Sequence, residues 1–190
     1  MTQPSVALRA MALAAALVLV ACTSPTAEPA TSDGVAAPEV SELTVGILPI
    51  VDVAPVHIAI SEGLFEAEGL TVRTEVVQGG AAAIPALQGG DLDITYGNWP
   101  SFLLANQEGI DLVAVADGVA ATPGFMEFMA LPASGLGGNP EGLAGAIIAV
   151  NTLNNVGELA VRSTLRAVNI EFDSVQLVEI PFPDMAATLE

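Results

Sequence analysis

Residues 43–77 read LTVGILPIVDVAPVHIAISEGLFEAEGLTVRTEVV, and this stretch decides the fold. Leu43–Leu48 is an apolar, β-rich run. Pro55 to Gly63 reads as a helix, with proline tolerated in the first turn and glycine near the end. Leu70–Val77 alternates at period two, which is the signature of a strand. Strand, helix and strand in this order form a βαβ unit. The same alternation continues outward. Gly79-Gly80 breaks the chain, Ala81–Leu87 suits a short helix, and Gly89-Gly90 stops it. Leu92–Tyr96 is a third strand, Pro100–Glu108 a third helix closed by Gly109, and Leu112–Ala116 a fourth strand. The expectation is an α/β protein with a mainly parallel sheet covered on both faces.

A second block follows. Phe125–Leu131 reads as extended and Ser134–Gly138 as a glycine-rich loop. Asn139-Pro140-Glu141 combines a cap, a first-turn proline and an acid, so a short helix is expected there. Ala146–Val150 is a buried strand. Asn155 and Glu158 have the spacing of a capping box, opening a helix to about Val168. Val156, Leu159, Ala160 and Leu165 fall largely on one of its faces, and Glu158 and Arg162 stand i,i+4 in the favourable order. Val175–Ile180 is a strand, and Pro183–Glu190 starts a last helix. That helix carries no glycine cap or following proline, so the sequence reads as a fragment or a truncated product.

Composition narrows the chemistry. The 190 residues include 22 acids, four basic residues and one histidine, for a formal charge of −18. The basic residues are Arg9, Arg73, Arg162 and Arg166, and there is no lysine. Nucleic-acid binding needs clustered cations that this chain lacks, so no nucleic-acid partner is expected. Lysine Schiff-base chemistry has no residue to use. One cysteine excludes an internal disulfide, and one cysteine with one histidine excludes a Cys/His zinc centre. No metal and no cofactor are expected, and no nucleophile–base pair stands out as catalytic. His57, the single histidine, reads as a packing or surface residue.

Residues 1–21 have a short n-region ending in Arg9 and an apolar run from Ala10 to Ala21. That run is well short of the roughly 20 residues that span a bilayer, so it reads as a secretion signal. Leu19-Val20-Ala21-Cys22 resembles the bacterial lipobox, which makes Cys22 the expected lipidation site. Residues 22–42 are rich in Pro, Thr, Ala and Ser and read as a tether. Such a tether reaches an r.m.s. distance of about 25 Å. A signal, an anchor and a tether place the expected site of action on the outer face of the bacterial cytoplasmic membrane.

Three segments of the body resemble one family. Ala54–Val72 (APVHIAISEGLFEAEGLTV), Ala86–Ile94 (ALQGGDLDI) and Asn139–Val150 (NPEGLAGAIIAV) are similar, in order, to segments of ABC-transporter substrate-binding proteins. These belong to the nitrate, sulfonate, taurine and thiamine-pyrimidine-precursor group. The resemblance extends over Leu43–Glu190. It implies a type II periplasmic-binding-protein fold, with two lobes of mainly parallel sheets that close on a small solute about a hinge. On this reading residues 43–131 are the first lobe, residues 132–190 are part of the second, and the hinge lies near Phe128–Pro132. Family members are much longer, and their chain returns from the second lobe to finish the first. This chain would therefore be incomplete at the C-terminus.

Open parallel sheets bind ligands outside the C-terminal ends of their strands. That rule selects four loops. The first carries Asp52, either a helix cap or a ligand-facing acid suited to an amino group. The second carries Gly79, Gly80 and Ala81, either an ordinary turn or a backbone surface that a ligand approaches closely. The third carries Asn98 and Trp99, with Trp99 either a packing aromatic or a platform for a planar ligand. The fourth carries Thr152, Asn154 and Asn155, whose polarity either caps the following helix or meets the solute. No basic side chain falls in these loops. The family resemblance implies a monomeric, non-enzymatic receptor that delivers a small solute to an ABC permease. Two alternatives stay open: a thiamine-pyrimidine-synthase-like enzyme and an extracellular ligand-sensing domain.

Overall fold

A computed structural model describes residues 38–190. The signal, Cys22 and most of the tether lie outside the described residues. Among the described residues no helix is long and apolar enough to cross a membrane.

Strand β1 (Glu42–Ile47) is the centre of the first sheet. It starts on Glu42, the last residue assigned to the tether. Helices α1 (Ala54–Ser61) and α2 (Leu64–Ala67) carry the chain to β2 (Thr71–Val76), and α3 (Gly80–Gly89) carries it to β3 (Ile94–Thr95). The sheet order is β2-β1-β3, all parallel. Glu42 pairs with Thr71 and Ile47 with Val76, while Val45 and Gly46 pair with Ile94 and Thr95. The chain moves to one side of β1 and then crosses to the other. A switch point therefore lies at the C-terminal ends of β1 and β3, where open α/β sheets bind ligands. Val45, Ile47 and Val53 form the core beneath it, joined by Leu43, Val72, Ile94 and Tyr96. Helix α4 (Trp99–Gln107) follows β3 directly.

The second sheet holds β4 (Ile147–Val150) and β5 (Gln176–Glu179), again parallel, with Ile147 opposite Gln176 and Val150 opposite Glu179. Helix α5 (Val156–Ala167) makes the crossover, and α6 (Phe182–Leu189) follows β5. Leu143, Val150, Val161 and Leu165 form its core, with Ile148, Phe172 and Leu177 packed around them. The inward face of α5 therefore runs through Val161 and Leu165, whereas Leu159, expected on that face, is 52% exposed. Residues 161 and 165 are one turn apart, so the face is set by contact with Leu143 and Val150 rather than by the apolar count alone.

Three expectations change. Leu112–Ala116 forms no strand, and Val113 and Val115 are largely exposed. Its apolar content is compatible with a strand, but a strand also needs a neighbour to complete its ladder. Here the anchors are local: Asn106 Oδ1 accepts from Leu112 N at 3.1 Å, and Gly118 lies against the Tyr96 ring. Phe125–Leu131 is irregular, with a turn closed by Phe125 N to Thr122 O at 2.9 Å. The helix expected after Asn139 is a single 3-10 turn, Pro140–Leu143, and the Asn139 side chain makes no capping bond.

Candidate functional site

The strand-end loops of the two sheets meet. Gln78, just past β2, donates from Nε2 to the Asn151 carbonyl at 2.8 Å, and Asn151 Nδ2 donates back to the Gln78 carbonyl at 3.0 Å. Nearby, the Ser101 hydroxyl lies 2.8 Å from the Asn154 carbonyl and 3.1 Å from Asn98 Oδ1. A hydroxyl has one proton, so it goes to the shorter acceptor, the Asn154 carbonyl. Three hydrogen bonds thus link the loops after β2 and β3 to the loop after β4. We call this contact the clasp.

Glycine makes the approach possible. A Cβ on Gly79 would lie 2.8 Å from both Asn151 Nδ2 and Thr152 Oγ1, and one on Gly80 would lie 2.7 Å from the Gly97 Cα. Both glycines are buried. Gly79 has an extended φ of 175°, so the requirement there is space. Ala81 follows Gly80 in the first turn of α3.

The loop after β4 is closed on itself. Asn155 is the N-cap of α5, and its Oδ1 accepts from Glu158 N at 3.0 Å. Its Nδ2 donates to Asn151 Oδ1 at 2.7 Å and to Thr152 Oγ1 at 3.1 Å. Asn151, Thr152 and Asn155 are all buried. Asn154 has a φ of 55° and gives its N–H to Glu158 Oε2 at 2.9 Å. The capping box is thereby altered. Glu158 reaches the residue before the cap and also holds Arg162, at 2.8 Å. Leu153 N is bonded to Glu179 Oε1 at 2.7 Å.

The first-sheet loops differ. Asn98 caps α4, its Oδ1 accepting from Ser101 N at 3.2 Å. Trp99 begins that helix and is 60% exposed. Asp52 is half-buried in the 3-10 turn Val51–Val53 and caps no helix. The Tyr96 hydroxyl donates to Asp52 Oδ2 at a long 3.4 Å, across the β1/β3 switch point. Burial, and next the negative charge of Asp52, push the Tyr96 phenol up to about 12. The phenol is therefore a neutral donor throughout the physiological range.

Tyr96, Gln78, Ser101 and Asn151 belong to this site, although residue type alone did not single them out. Ser101 carries a readable signal, standing three residues after the cap Asn98. The Gln78–Asn151 pair joins residues 73 apart and leaves none. His57 is exposed on α1. A surface depression of about 360 Å³ beside Arg166 and Phe172 lies at the far end of α5 from these loops. Among the described residues no group of His, Cys, Asp and Glu is arranged to hold a metal.

Residues 36–190 match the model of the NMT1-like family. The chain belongs to that family. Solved structures agree in fold. The alkanesulfonate-binding protein SsuA from Xanthomonas axonopodis pv. citri, bound to MOPS, has a TM-score of 0.58 at 14% identity, over 80% of this chain and 52% of that one. The periplasmic aliphatic sulphonate-binding protein SsuA from Escherichia coli has a TM-score of 0.51 at 16% identity, over 79% of this chain and 50% of that one. A Bordetella bronchiseptica protein has a TM-score of 0.55 at 21% identity, over 75% of this chain and 45% of that one. The NMT1-like chain therefore has a type II periplasmic-binding-protein fold and spans about half the length of these neighbours. No curated protein matches it.

Proposed function

We propose that the chain is the solute-binding component of an ABC importer and works outside the cytoplasmic membrane. It captures a small nitrogen- or sulfur-containing solute and delivers it to a membrane permease. The observation that carries this reading is the clasp. It brings the C-terminal ends of two parallel sheets together, and ligands of open α/β sheets sit at such ends. Membership of the NMT1-like family supports it, as does likeness in fold to two sulfonate-binding proteins. The role is binding and release rather than catalysis, by lobe movement about a hinge near Phe128–Pro132. Cys22 carries the lipid that holds the monomer to the membrane, and residues 23–41 supply the tether.

The test is thermal melting of the purified chain against a panel of alkanesulfonates, taurine, nitrate, aminopyrimidines and small amines. A ligand present at 100 times its Kd stabilises by about 2.7 kcal/mol, which is readily measured. The expected result is a saturable rise in Tm with one chemical class. No rise with any class would contradict the reading. Mass spectrometry of membrane-extracted protein checks the anchor, with the expected lipid mass lost in Cys22→Ser.

A further inference from the structure

We propose that Asp52, Tyr96 and Trp99 form a subsite for a positively charged amine, so that the solute is a small organic ammonium compound rather than a simple anion. This rests on the reading of the chain as a solute receptor, and it names the chemistry of that site.

Position comes first. Asp52 follows β1 and Tyr96 follows β3, so their contact straddles the point where strand order reverses. Trp99 lies three residues further on, with its indole largely in the open.

Valence is the second point. The contact with Tyr96 is long, at 3.4 Å, and no other hydrogen bond to the Asp52 carboxylate is found among the described residues. An ionised carboxylate has about four acceptor sites. Most of its capacity is left for a donor that arrives from outside, and an ammonium group brings three donors and a charge of the right sign. Trp99, exposed and three residues along the chain from Tyr96, offers an aromatic face of the kind a cation favours.

The third point is where the cations are. Arg73 pairs with Glu42 at 3.2 Å, near the N-terminal end of the sheet. Arg162 pairs with Glu158 and lies 3.5 Å from the centroid of Phe172. Arg166 sits in the last turn of α5, beside Asn169 and Phe172. None of the three meets Asp52, Tyr96 or Trp99. An anion at the switch point would face Asp52 with no described side-chain cation to balance it. The polar side chains across the clasp offer no remedy, because Asn151, Thr152 and Asn155 are committed to one another.

The experiment is isothermal calorimetry of the purified full chain with butylamine and butane-1-sulfonate at matched ionic strength. Butylamine is expected to bind and butane-1-sulfonate to bind at least tenfold more weakly. Asp52→Asn, which keeps the side-chain shape, should weaken butylamine at least tenfold with an unchanged circular dichroism spectrum. Tyr96→Phe removes the hydroxyl that meets the carboxylate and should weaken butylamine at least threefold, so it remains informative if Asp52→Asn folds poorly. Tighter binding of the sulfonate, failure of butylamine to bind, or butylamine binding unchanged in Tyr96→Phe or in a folded Asp52→Asn would overturn the subsite. Sulfonate binding that is indifferent to Asp52 would leave the receptor reading standing. Silence from every solute class would remove both.

Discussion

The loop after β4 and the loops after β1 and β3 all end parallel strands, yet they use their polar groups in opposite ways. Asn151, Thr152 and Asn155 are buried and spend their amides and hydroxyl on one another, on the α5 N-terminus and on Gln78. Asp52 and Trp99 keep most of theirs free. Polarity at a strand end is therefore not by itself evidence of ligand contact. In the second lobe it builds the loop and the clasp. In the first lobe Asn98 likewise caps a helix, while Asp52 and Trp99 are left with few partners.

The sharpest way to break this contrast is Asn155→Ala. It deletes the α5 cap and leaves two buried acceptors, Asn151 Oδ1 and Thr152 Oγ1, without their donor. Loss of a cap costs about 1 kcal/mol and a stranded buried group about 1–3 kcal/mol, so a loss of about 3 kcal/mol is expected in urea unfolding. Ser101→Ala comes next. The side chain is 2% exposed and bonds across the clasp, so about 1–2 kcal/mol should be lost in the same assay. Trp99→Ala should change stability by less than about 0.5 kcal/mol, because an exposed side chain away from structural features contributes little. A loss as large as that of Asn155→Ala would erase the difference between the two regions.

Tyr96 gives a subtler probe. Its pKa rises from 10.0 to about 12 on folding, so above pH 10 the unfolded chain releases this proton before the folded one does. The unfolded state then binds fewer protons, and stability falls as pH rises. The contribution is intact below pH 10 and is lost between pH 10 and about 12. Alkaline melting curves of Tyr96→Phe should lack this part of the decline.

Much of this was legible in the sequence, for identifiable reasons. Period-two alternation over Leu70–Val77 and the glycine pairs at 79–80 and 89–90 are local signals, and they locate β2 and α3 within two residues. The Asn155 and Glu158 spacing locates the start of α5, and the i,i+4 ion pair with Arg162 forms as expected. Leu112–Ala116 misleads because strand formation depends on a neighbour that composition does not reveal. The clasp was hidden for a related reason. Its partners Gln78 and Asn151 lie in different βαβ units, and their pairing depends on how two sheets meet. Asp52, Asn98 and Trp99 were selected by a fold-level rule about strand ends. That rule locates a loop and does not say which side chains are already occupied.

The meeting of the two lobes at Gln78 and Asn151 is the centre of the account, and a cross-link tests it most directly. In a Cys22→Ser background, Gln78→Cys and Asn151→Cys together should form an intramolecular disulfide under mild oxidation. It should be seen as a reducible gel shift and the loss of both free thiols, without added solute. Two thiols that stay free and fully alkylated in a folded protein would show that these loops do not meet, and would contradict the clasp.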